Sequence, residues 1–133
     1  MACVAFCFSD DWIPNVWFSL EFGINLLKEL GVIKSYRTVR FFALWLLKTR
    51  PKTPCMRIQF MGVDDENRGR GIGTKMARLL KEEFKKEGYH YIQGEIEEVN
   101  APSKRVTFKE GAKAQKHFRI DGVDWIVVLM PLD

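Results

Sequence analysis

A strand, a glycine-rich turn and a helix follow one another without a break over residues 56–87, and nothing else constrains the fold of this chain as strongly. Met56-Arg-Ile58-Gln-Phe60-Met61-Gly62-Val63 alternates apolar side chains and predicts a strand. The turn is Asn67-Arg68-Gly69-Arg70-Gly71-Ile72-Gly73-Thr74. Lys75 to Glu87 then predicts a helix, with Ile72, Met76, Leu79, Leu80 and Phe84 along one face. This order leaves free backbone N–H groups at a helix start, where the helix dipole also favours an anion. Gly69, Gly71 and Gly73 carry no β-carbon, so phosphate oxygens can approach the main chain closely. Arg68 and Arg70 add positive charge beside them, and the expectation is a phosphate-bearing ligand at Arg68, Gly69, Arg70, Gly71, Ile72, Gly73 and Thr74.

Two common phosphate loops are excluded by spacing. A Walker-type loop counted from Gly69 would need its second glycine at Thr74. The dinucleotide fingerprint fails too, because its last glycine would fall on Thr74 or Met76. What stands in the chain is Arg68-x-x-Gly71-x-Gly73, separated from the strand end at Val63 by the acidic turn Asp64-Asp65-Glu66. This resembles the coenzyme A pyrophosphate loop of the GNAT superfamily of acyl-CoA-dependent N-acetyltransferases, whose pattern is Arg/Gln-x-x-Gly-x-Gly/Ala.

A second stretch is similar to the same family. Gly88 suits a helix cap, and Tyr89 to Val99 reads as another strand. Asn100, Ser103, Val106 and Gly111 then fall at the family's spacings for an asparagine, a short helix and the glycine that opens the next strand. Two positions depart: Thr107 replaces the usual tyrosine, and Ala112 the usual phenylalanine. The resemblance covers Met56 to the C-terminus, slightly more than half the chain.

The resemblance implies an α/β chain with a mixed (α+β) sheet, a GNAT-like acyl-CoA N-acyltransferase fold with a helical N-terminal segment. One domain spans 1–133, with residues 1–55 an atypical strand plus two helices and 56–133 the cofactor-binding core. Parallel neighbours are expected at Met56–Val63 and Tyr89–Ile96, and an antiparallel pair at Gln115–Arg119 and Asp124–Met130 about an Asp121-Gly122 turn.

The first part is the least familiar. Cys3 to Phe8 suits a strand. Val16 to Leu30 is helical in pattern, with Leu20, Ile24, Leu27 and Leu30 on one face and Gly31 as its stop. A second helix is expected from Ser35 to Lys48, ending before Pro51, and Pro51 to Pro54 is a candidate hinge. Typical family members place more strands ahead of the central strand, so the chain is expected to enter the family pattern late, with one sheet edge exposed. The aromatic residues Trp12, Trp17, Phe18, Phe22, Phe41, Phe42 and Trp45 then have several open uses: core first, otherwise cover for that edge, an acceptor pocket wall or a homodimer interface.

Chemistry follows from the same resemblance. The cofactor implied is acetyl-CoA, and the reaction is acetyl transfer to a primary amine on a small molecule or peptide. The main chain of Met61, Gly62 and Val63 is expected to hold the pantetheine arm, with Gly62 suited to a bulge or close approach. Glu95 and Glu97 share one strand face by period-two alternation, and either is a candidate for taking the amine proton. Asn100 and Ser103 join the cofactor-binding set, although Asn100 also suits a plain helix cap. Thr107 stands at the general-acid position with a shorter reach than tyrosine. A non-catalytic acyl-CoA-binding module that kept the loop is the alternative.

Composition adds limits. A net charge of +4, interspersed, suits an anionic cofactor and gives no case for nucleic acid. Cys3, Cys7 and Cys55 lack metal or redox spacing and point to a reducing compartment, with the cytoplasm as default. No metal is expected, and His90 and His117 are isolated in sequence. The apolar Val39 to Leu47 stretch is too short for a membrane span, which takes about 20 residues.

Overall fold

The computed structural model describes residues 3–9, 16–51 and 54–132. These fall into two compact units: the helical segment within residues 11–50, and a sheet unit built from the first residues together with everything after residue 50.

In the helical unit, α1 (Val16–Thr49) is broken at Gly31, whose φ of 75° and ψ of 168° lie outside helical geometry. Glycine reaches that conformation without the β-carbon clash other residues would meet. The expected stop at Gly31 is therefore present, but the second helix resumes at once rather than at Ser35. Ser35 Oγ donates to the Gly31 carbonyl at 2.8 Å, across the first turn after the break. Thr49 Oγ1 closes the other end on the Trp45 carbonyl at 2.8 Å. Phe41 packs against Phe42 and Trp45, with ring centroids 5.8 Å and 5.6 Å apart. Trp12 and the side chains of Trp17, Phe18, Leu20, Phe22 and Leu30 lie outside the described residues, as does the middle of the Pro51–Pro54 hinge.

The sheet unit contains β1 (Cys3–Ser9), β2 (Met56–Val63), α2 (Ile72–Lys86), β3 (Tyr91–Glu97), α3 (Ala101–Lys109), β4 (Lys113–Ile120) and β5 (Val123–Pro131). Its five strands lie in the order β1-β2-β3-β5-β4. β2 and β3 are parallel, joined through α2, and the remaining neighbours are antiparallel. This is the mixed sheet the sequence led us to expect. Strand β3 starts two residues later than the pattern suggested, because Tyr89 is taken by the helix cap. The tight β4–β5 turn sits at Asp121 (φ 48°) and Gly122 (φ 83°), the left-handed pair that two-residue hairpins require.

Helix ends are strongly specified. Gly88 (φ 87°) follows α2, with Tyr89 N–H donating to the Phe84 carbonyl at 3.0 Å and Gly88 N–H to Lys85 at 3.1 Å. The Tyr89 and Phe84 rings meet edge to face, completing a Schellman cap with its apolar contact. Gly111 (φ 94°) ends α3 the same way, with Ala112 N–H on the Thr107 carbonyl at 3.2 Å. The main chain of Thr107 is thereby fixed.

Phe84, Ile92, Ile96, Ala112, Ile126, Val128, Met130 and Leu132 form the core. Full burial of each large apolar side chain contributes roughly 1.5–3 kcal/mol. The buried face of α2 follows the expected one at Phe84 and at Leu80, which packs against the core, and departs from it at Leu79, which is 52% exposed, while Ala77 is buried in addition. A β-carbon on Gly73 would stand 3.8 Å from Val106 and 3.9 Å from Val63, so the start of α2 packs on α3 and the end of β2 through a small residue.

Candidate active site

The parallel ladder between β2 and β3 is short. It pairs Met56 with Ile92, Arg57 with Gln93 and Ile58 with Gly94, and then stops. Both strands continue, β2 to Val63 and β3 to Glu97, so a fork opens between them. On its other side β2 pairs with β1 along its whole length, with a register shift between the backbone pairs Phe6–Phe60 and Cys7–Ile58. The extra residue is Gln59, directly after the last rung. The bulge expected at Gly62 is thus elsewhere: Gly62 sits in regular register with Val4.

A cavity of about 350 Å³ lies at this fork. Met61 reaches it from β2, Glu95 and Glu97 from β3, Asn100, Ser103 and Thr107 from the start and body of α3, and Trp125 from β5. Six of the residues singled out in the sequence therefore meet in one place. Trp125 was not among them; it is the register partner of Glu97, and a mid-strand aromatic gives no local sign that it faces a cavity.

The two carboxylates have different surroundings. Oε1 of Glu95 accepts from Arg57 Nη2 at 3.0 Å and from Gln93 Nε2 at 2.8 Å, with the Glu95 side chain 2% exposed. The Glu97 carboxylate has no hydrogen bond or ion pair among the described residues. Asn100 caps α3, its Oδ1 accepting from Ser103 N–H at 3.1 Å, so the plain capping role is present at the cavity rim. Asp124, beside Trp125, is held below the usual carboxylate range by its hydrogen bonds from Arg119.

The glycine turn leads into α2 beside this cavity without lining it. Gly69 (φ 78°) and Gly71 (φ 75°) are both left-handed, and a β-carbon at either would meet no atom within 4 Å. Their requirement is conformational rather than spatial. Gly71 takes the N-cap position with no side-chain cap. The first helical bond runs from Lys75 N–H to the Gly71 carbonyl at 3.0 Å. The amides of Ile72, Gly73 and Thr74 therefore have no acceptor within the helix. Arg68 is drawn back onto the turn, its Nη1 2.8 Å from Asp65 and its Nε 3.3 Å from the Val63 carbonyl. Arg70 is exposed. An oligo-anionic ligand fits this arrangement: left-handed glycines, a bare helix start, and a fork beside them for a slender arm.

Comparison with known proteins agrees with this geometry. Residues 25–109 match the family model described as acetyltransferase (GNAT) family. Among solved structures, a mosquito arylalkylamine N-acetyltransferase like 5b superposes with a TM-score of 0.66 at 13% identity, over 98% of this chain and 68% of that one. The ribosomal-protein-S18-alanine N-acetyltransferase of Escherichia coli gives 0.52 at 21% identity, over 57% and 54%. A chain of the NatC complex bound to Gag peptide and CoA gives 0.55 at 17% identity, over 100% of both. The chain spans about half the length of the first solved structures it matches, 54% and 50%. No curated protein matches it in sequence. No helix among the described residues is long and apolar enough to cross a membrane. The family match covers most of the chain and includes the fork, the glycine turn and α3; the chain belongs to the acetyltransferase (GNAT) family.

Proposed function

We propose that this chain transfers the acetyl group of acetyl-CoA to a primary amine carried by a small molecule or peptide. The observation that carries the reading is the fork after Ile58–Gly94, opening beside a bare helix start preceded by left-handed glycines. The amides of Ile72, Gly73 and Thr74, with Gly69 and Gly71 shaping the turn, would hold the pyrophosphate. Arg68 and Arg70 supply positive charge there. The main chain of Met61, Gly62 and Val63, left unpaired with β3, would hold the pantetheine arm, with Asn100 and Ser103 beside it. Acetyl-CoA supplies an activated acyl group, and the chain must then deprotonate the amine, orient it and exclude water.

Glu97 is the residue we assign to the amine proton, directly or through water, because its carboxylate is not engaged by a cation. Glu95 is secondary in that role, since Arg57 and Gln93 already occupy its Oε1. Trp125, across from Glu97, offers an aromatic wall on which an ammonium group is favourably placed before it loses its proton. Thr107 lines the cavity, its main chain fixed by the α3 cap, and its hydroxyl would donate a weak hydrogen bond to the departing thiolate.

A second reading keeps its place on one observation. With threonine in the tyrosine position, the chain has lost a stronger proton donor, and a binding module for acyl-CoA would retain the same loop. Isothermal titration with acetyl-CoA tests what both readings share: they predict saturable binding that Gly71→Asp abolishes, and no binding to the folded protein would end both.

A further inference from the structure

The β2–β3 ladder ends at Ile58–Gly94, where the Gln59 bulge interrupts β2, and both strands run on beyond it. A cluster of polar side chains stands at the same point. Arg57 is the register partner of Gln93, and Glu95 is the next residue on that face of β3. From the last rungs of the ladder, the Arg57 guanidinium reaches forward to Glu95 Oε1 at 3.0 Å, and Gln93 donates to the same oxygen at 2.8 Å. The two charged side chains are 5% and 2% exposed. A buried ion pair gains little net stability, because desolvation offsets the attraction, and its best-attested use is to specify one arrangement over its neighbours. Here it grips the first residue of β3 beyond the ladder, opposite the Gln59 bulge in β2. Glu97 follows two residues later on the same face, about 7 Å along the strand.

We propose that Arg57 is a positioning residue: its clasp on Glu95, shared with Gln93, fixes the point at which the fork opens and so aims Glu97 into the cavity. The catalytic half of this statement rests on the acetyltransferase reading above; the structural half does not.

The test compares the unmodified protein with Arg57→Lys and with the neutral pair Arg57→Met/Glu95→Gln. A neutral pair of similar volume is expected to keep the fold, because both charges of the clasp are removed together. In that pair, amides of the Met56–Ile58/Ile92–Gly94 ladder should exchange about tenfold faster while the β4–β5 ladder is unchanged. The turnover number should fall about tenfold with coenzyme A affinity held, and Arg57→Met alone, which leaves the Glu95 carboxylate in place, should show the same split, as expected of misaimed chemistry and not of a lost base. Arg57→Lys, which keeps the charge, should retain most of the rate. A neutral pair with native exchange and native turnover overturns the proposal.

Two further outcomes are decisive without that variant. If it fails to fold, exchange in the unmodified protein decides: the clasp requires Ile58 and Gly94 to be among the best protected of the ladder, and progressive fraying from the open end contradicts it. If the unmodified protein transfers no acetyl group, the functional reading fails, while exchange still decides the clasp.

Discussion

Ile58 and Gly94 form the last rung of the parallel ladder, and the side chains proposed for the chemistry lie beyond or beside that rung. Met61 is past it on β2, Glu97 past it on β3, and Thr107 reaches the same cavity from α3. The start of α2 is tied to this geometry through Gly73, whose neighbours are Val63 and Val106.

The glycines of the turn should separate by substitution. Gly71→Ala forces a β-carbon into left-handed geometry and should cost about 1–2 kcal/mol. Gly73→Ala meets only ordinary contacts at 3.8 Å and 3.9 Å, and gains helix propensity. Its stability should stay within about 1 kcal/mol of the unmodified protein or improve. Urea denaturation measures both.

Glu97→Gln should lower the acetylation rate by about 10²–10⁴-fold, the usual worth of a positioned base. Coenzyme A affinity, read by calorimetry, should stay nearly unchanged. Equal loss of rate and affinity would place Glu97 in binding instead.

Thr107→Tyr should raise the rate without tightening cofactor binding, because a phenol near the sulfur acts only in the transition state. Steady-state kinetics beside calorimetry reads the split. A binding module would respond to neither this substitution nor Glu97→Gln.

Stability should depend on pH through Asp124. Its carboxyl is held below the usual range by Arg119, at 2.6 Å and 2.5 Å, so the folded state binds the proton less readily than the unfolded chain. Such a contribution is complete above the unfolded carboxylate value of about 3.9 and is lost as pH falls through the folded one. The pair is exposed, so the effect is small and weakened by salt. Asp124→Asn should flatten this part of the acid slope in denaturant midpoints, and the two proteins should converge at the acid end.

The sequence was most legible where backbone geometry demands a residue type. Gly31, Gly71, Gly88, Gly111 and Gly122 all take positive φ, and they mark helix and turn boundaries close to where the pattern put them. Side-chain pattern served less well on α2. Leu79 counted as apolar but faces outward, while Gly73 and Ala77, which carry little hydrophobic signal, form its packed side. The position of β5 between β3 and β4 follows from a chain crossover that no local window contains. The same holds for the clasp, where Arg57 and Glu95 are 38 residues apart in sequence. Trp125 went unread because an aromatic within a strand is ordinarily core.

The central claim is acetyl transfer, and the most direct measurement is mass spectrometry of a primary-amine panel incubated with acetyl-CoA and the purified chain, with free-thiol release followed in parallel. The account predicts an acetylated amine, thiol release in equal amount, and loss of both with Gly71→Asp. Saturable coenzyme A binding without an acetylated product from any amine would contradict it and leave the binding module.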